Sequence, residues 1–136
     1  MKKLVILFSI LLFISCTYEK GDITSEMTTN LVSFHHKELN HRLSTNDSIA
    51  NGTLHQKKTD HLLTIDYFTE ETGCPSFEGG SIVIGDTLTL YYQDVNFQLV
   101  KCIGLYQLTY VIDTKNLDYK DIKVVRLKAI KKGISF

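Results

Sequence analysis

Leu105-Tyr106-Gln107-Leu108-Thr109-Tyr110-Val111-Ile112-Asp113 alternates with a period of two: Tyr106, Leu108, Tyr110 and Ile112 share one face, while Gln107, Thr109 and Asp113 occupy the other. Successive side chains of a strand point to opposite faces of its sheet, so this stretch reads as a strand with one face in a core. The same reading extends to its neighbours. In His61 to Thr69, Leu63, Ile65 and Tyr67 alternate with Thr64 and Asp66. Ser81 to Ile84, then Gly85-Asp86, then Thr87 to Tyr92 reads as a hairpin whose two-residue turn uses the positive φ that Gly adopts without steric cost. Asp121 to Ile130 changes phase at Val124 and Val125, which implies either a bulge or a strand buried on both faces.

Further out, Leu31 to Phe34 reads as a strand, and Ser44 to Lys58 has loop and turn composition, with Asn46-Asp47 and Asn51-Gly52 among several Ser and Thr residues. Thr72 to Gly80 and Thr114 to Tyr119 are also turn-rich. No long helical period follows the N-terminal region. The expected fold class is all-β, an antiparallel β-sandwich or small open barrel. The chain has 136 residues, 43% apolar and 22% charged, with one Pro, which fits one folded domain. The net charge of zero gives no electrostatic case for a nucleic-acid partner.

The N-terminus carries an address. Lys2 and Lys3 precede an apolar run, Leu4 to Ile14, broken only by Ser9, and Ser15-Cys16 follow. This is the layout of a secretory signal peptide. As a helix the run would be about 16 Å long, short of the roughly 30 Å hydrocarbon core. Phe13-Ile14-Ser15-Cys16 resembles the lipobox of bacterial lipoproteins, with Phe13 where Leu is usual. The resemblance implies cleavage before Cys16 and lipidation of its thiol, and Thr17 in place of Asp favours the outer membrane. The expected organisation is residues 1–15 as signal peptide, 16–29 as polar tether and 30–136 as a single β-rich domain.

Residues 17–113 hold 13 acids and 6 bases, whereas residues 114–136 hold 2 acids and 7 bases. The basic residues Lys115, Lys120, Lys123, Arg126, Lys128, Lys131 and Lys132 read first as a solvated strand face and tail, and second as a contact with anionic lipid or polysaccharide. With Cys16 acylated, Cys74 and Cys102 form an even pair in an exported protein, so a structural disulfide is expected. Neither Gly73-Cys74-Pro75 nor Lys101-Cys102-Ile103 is a Cys-x-x-Cys pair.

The strand running into Gly73-Cys74-Pro75, then Gly85-Asp86-Thr87-Leu88-Thr89-Leu90, then Cys102 ahead of an aromatic strand, resembles small β-rich lipoproteins of the Bacteroidetes. The resemblance covers Leu62 to Ala129 and the signal, and implies fold and location without an activity. Asp47-Ser48-Ile49 and Asp86-Thr87-Leu88 each resemble the Asp-Ser/Thr-aliphatic glycosylation pattern of that group. Only Ser48 lies in an evident loop, which makes it the glycosylation candidate.

Candidate chemistry is sparse. His35, His36 and His41 fall close together, yet adjacent strand residues diverge and the spacing of His36 and His41 is not a helical i, i+4 pair, so no metal site is expected. Glu70 and Glu71 diverge for the same reason and read as the solvated end of a strand. No phosphate loop, nucleophile elbow or dinucleotide fingerprint occurs, and neither an enzyme nor a cofactor is expected. Alternation sets Phe68 opposite Tyr67 and Tyr91 opposite Tyr92, so Phe68 and Tyr91 are candidates for an exposed aromatic surface that contacts an envelope protein or glycan. The leading expectation is a lipid-anchored, non-enzymatic binding or structural β module. The alternative is a thiol-redox or metal-binding envelope protein using Cys74 and Cys102 or His35, His36 and His41.

Overall fold

A computed structural model describes residues 19–39, 51–96 and 103–128. The strands are β1 (Glu19–Lys20), β2 (Leu31–Leu39), β3 (Leu54–Thr59), β4 (Leu62–Thr72), β5 (Phe77–Ile84), β6 (Thr87–Asp94), β7 (Ile103–Asp113) and β8 (Asp121–Lys128), with one 3-10 turn at Glu26–Thr28. They form two four-stranded sheets, sheet I in the order β1-β8-β6-β5 and sheet II in the order β2-β7-β4-β3. Sheet II is antiparallel throughout, whereas sheet I is mixed, because β8 runs parallel to both β1 and β6. The protein is an all-β sandwich, as the alternating segments predict.

The strand read first is the centre of sheet II. β7 pairs with β2 on one side and with β4 over eleven register positions on the other, from Leu62↔Asp113 to Thr72↔Ile103. Its inward residues Leu108, Tyr110 and Ile112 are fully buried against Leu63, Ile65, Leu88 and Leu90. Tyr110 donates its hydroxyl hydrogen to the Tyr91 carbonyl across the core at 3.0 Å, which satisfies the one polar atom its burial strands. The β5–β6 hairpin turns where expected, with Gly85 at φ 63°.

The phase change in β8 resolves in favour of two buried faces. Its register with β6 runs unbroken from Asp121 to Arg126, so there is no bulge among these pairs. Ile122 and Val124 pack toward the main core, while Val125 and Leu127 join Tyr91 in a second cluster on the outer face of sheet I. Ile23 and Met27 cover that cluster.

This corrects the reading of residues 16–29 as a polar tether: from Glu19 the chain belongs to the fold. It adds β1 to the edge of sheet I, crosses the sheet's outer face through Ile23 and Met27, and enters sheet II as β2. Gly80 makes the crossing close, since a Cβ there would lie 2.8 Å from the Met27 Cβ. A sparse apolar pattern concealed this role, because two side chains suffice to cap a small cluster.

Two further expectations need correction. All of β3 but Thr59 lies inside the segment Ser44 to Lys58 read as loop; it is an edge strand whose residues after Leu54 are all exposed, so no hydrophobic alternation marks it. Phe77 to Gly80, read as turn-rich, opens β5, and Gly79 accommodates the Phe34 ring of β2.

Gly80→Ala should destabilise the protein by about 1–3 kcal/mol through overpacking against Met27. Met27→Ala, which trims a half-buried side chain, should cost about 1 kcal/mol. Urea denaturation of each variant checks this; unchanged midpoints in both would show that the crossing segment does not pack on sheet I.

Candidate functional site

Among the described residues, a buried polar cluster joins the two sheets. Glu71 and Thr69 point inward from β4, Tyr92 from β6 and Arg126 from β8, where inward alternation in each strand places them between the layers. Glu71 is 7% exposed, and its Oε2 accepts from Arg126 Nη2 at 2.6 Å. Its Oε1 accepts from the Tyr92 hydroxyl at 3.3 Å and lies 3.5 Å from the Thr69 hydroxyl, which is itself 3.2 Å from Tyr92.

Electrostatics in this cluster follow from desolvation. Burial raises the Glu71 pKa above its ordinary 4.5, with Asp94 adding to the rise and Arg126, Tyr92 and Thr69 opposing it. The Tyr92 phenol is raised well above its ordinary range, first by burial. Arg126 Nε is buried with no hydrogen-bond partner. Ion pairing and hydrogen bonding therefore stabilise a carboxylate that burial alone would neutralise. The arrangement ties β4 to β6 and β8; it aligns no nucleophile and base on an open cavity. Among the described residues, no group of three or more His, Cys, Asp or Glu could hold a metal ion.

The sequence candidates fall elsewhere. Cys16, His41, Ser48 and Cys102 lie outside the described residues. His35 and His36 diverge on β2: His35 sits opposite Thr109, and His36 sits opposite Leu108 with its ring 5.4 Å from Phe77. Cys74 is exposed between β4 and β5, where its carbonyl accepts from Asn96 Nδ2 at 3.3 Å, and no disulfide is found among the described residues, so the expected bridge to Cys102 is not shown. Asp86 meets Lys120 at 3.6 Å on the surface.

Phe68 and Tyr91 do lie on outer sheet faces, but neither offers an exposed aromatic surface. Phe68 is 5% exposed, with the His55 ring at 5.5 Å and its backbone bonded to Gly52 and Thr53, while Tyr91 is 3% exposed beneath the N-terminal crossing. The reading of Glu71 as a solvated strand end is likewise overturned, although Glu70 beside it is exposed. Glu71 continues the inward series Leu63, Ile65, Tyr67, Thr69, and this was the available signal for its burial.

A shallow depression of about 270 Å³ on sheet I is lined by Ile84, Thr87, Thr89, Tyr91 and Lys123. Comparison of the chain with protein families, characterised proteins and solved structures finds no match.

Arg126→Met should cost about 2–4 kcal/mol, because it leaves the Glu71 carboxylate buried without its cation; the partial exposure of Arg126 holds the loss toward the lower end. The pH dependence has a defined sign. Folded Glu71 keeps its proton to higher pH than the unfolded chain, so its contribution to stability is largest below 4.5 and declines as pH rises through its raised folded pKa. Glu71→Gln should remove that decline, as read from denaturation midpoints across the acid range; an unchanged profile would show that Glu71 is not the group responsible.

Proposed function

We propose that the protein is a lipid-anchored lipoprotein of the cell envelope, related to the small β-rich Bacteroidetes type, located at the outer membrane and serving as a non-enzymatic binding or structural module. The observation that carries this reading is Phe13-Ile14-Ser15-Cys16 at the end of a short apolar run. The first described strand of the sandwich, at Glu19, supports it, since a module placed so close to Cys16 in the sequence can stand directly behind an acylated residue. Several acyl chains hold a protein at a bilayer nearly irreversibly, at about 0.8 kcal/mol per buried methylene. The partner is an envelope protein or glycan. It is not recognised through Phe68 or Tyr91, which are buried.

A Cys74–Cys102 disulfide belongs to the same proposal. Thr72 pairs with Ile103 at the end of the β4–β7 ladder; Cys74 follows the one by two residues and Cys102 precedes the other by one. Export favours a structural bridge over a redox pair, while the exposure of Cys74 is the feature that a redox role would use.

Intact mass of the protein from its native envelope should show acylated Cys16 as the first residue, and Cys16→Ala should release the protein or leave it unprocessed. A mature N-terminus elsewhere, without acyl mass, would end the lipoprotein reading. Thiol titration without reductant should find no free sulfhydryl at Cys74 or Cys102, and reduction should cost about 3 kcal/mol for a loop of roughly 29 residues. Rapid labelling of Cys74 by a thiol reagent would favour the redox alternative instead.

A further inference from the structure

We infer that the β1–β8–β3 edge of the sandwich rests against anionic lipid headgroups, an inference that depends on the lipid anchor proposed above. Charge is sorted by position in the sheets. The strands at this edge, β3 and β8, carry Lys57, Lys58, Lys123, Arg126 and Lys128 against the single acid Asp121. The strands β2, β4, β5, β6 and β7 carry only one Lys or Arg, Lys37, against Glu38, Asp66, Glu70, Glu71, Glu78, Asp94 and Asp113. β1 holds one of each sign, Glu19 and Lys20, and the β3–β4 turn adds Asp60.

The two basic strands lie on one side because the sheets stack in register. β2 packs over β5, Tyr110 of β7 bonds across to β6, and Glu71 of β4 meets Arg126 of β8, which leaves β3 on the side of β1. Lys57, Lys58, Lys123 and Lys128 are exposed along this edge, and Arg126 is partly exposed beside Glu71.

The anchor is delivered to that same edge. β1 is the outermost strand of sheet I, and only two residues separate Cys16 from Glu19, a span of at most about 11 Å. That is somewhat longer than the Debye length of roughly 8 Å at physiological ionic strength; it holds β1, whose Lys20 pairs with Lys128, near the headgroups, and Lys123 and the β3 lysines extend from there along the same edge. The opposite edge, β2 with β5, carries Lys37 against Glu38 and Glu78 and has no such charge complementarity. Short attachment and basic edge thus select one orientation of the domain on the membrane.

The test uses the acylated protein in vesicles and lysine acetylation read by peptide mass. On vesicles of phosphatidylglycerol mixed with phosphatidylcholine, Lys57, Lys58, Lys123 and Lys128 should label more slowly than in detergent by at least about fivefold, the factor contributed by one membrane-adjacent lysine. Lys37 should label equally in both. On phosphatidylcholine alone the protection should vanish, and in the Lys57→Glu, Lys58→Glu variant it should also vanish at Lys123. Equal labelling of the edge lysines and Lys37 on acidic vesicles, or equal protection on both vesicle types, would overturn the inference while leaving the anchor intact. Absence of acyl mass at Cys16 would remove the anchor and the inference together.

Discussion

Sheet I carries buried apolar side chains on both faces, and much of the architecture follows from that constraint. Leu88, Leu90, Ile122 and Val124 belong to the interior, but Tyr91, Val125 and Leu127 project the other way and must also leave water. A second layer on that side would need many residues. The protein instead uses the N-terminal crossing, with Ile23 and Met27 as its cover and Gly80 removing the side chain that would hold it off. Burying apolar side chains contributes about 1.5–3 kcal/mol each when complete, so even this small cluster is a sizeable part of a domain's usual 5–15 kcal/mol.

The cover also sets the relation between the domain and whatever precedes it. The chain pairs with β8 at Glu19–Lys20 and then crosses the sheet, so only Thr17 and Tyr18 stand between Cys16 and β1 in the sequence. The lipid anchor proposed at Cys16 would act on a particular edge of the sandwich.

Between the sheets, the Glu71–Arg126 pair does different work from the apolar core. A buried ion pair often adds little net stability, since desolvation offsets its attraction, but removing one partner is costly. Together with the Tyr110–Tyr91 hydrogen bond, it penalises any slippage of one sheet over the other that would strand a charge or a hydroxyl. Thr69 and Tyr92 complete the carboxylate's surroundings.

By itself the sequence determined the all-β class, the β5–β6 hairpin at Gly85 and the central strand β7, because alternation is local: neighbouring residues of a strand must face opposite ways. It also determined which side chains diverge, and His35 from His36 and Glu70 from Glu71 do so. It could not determine what covers each face. Phe68 and Tyr91 point outward yet are buried, Glu71 ends its strand yet meets Arg126, and β3 forms without any apolar alternation. Those outcomes were decided only by tertiary structure, since burial depends on residues distant in the chain: Met27 over Tyr91, and Arg126 against Glu71. Periodicity reports the direction of a side chain, and only the stacking of the sheets decides what it meets.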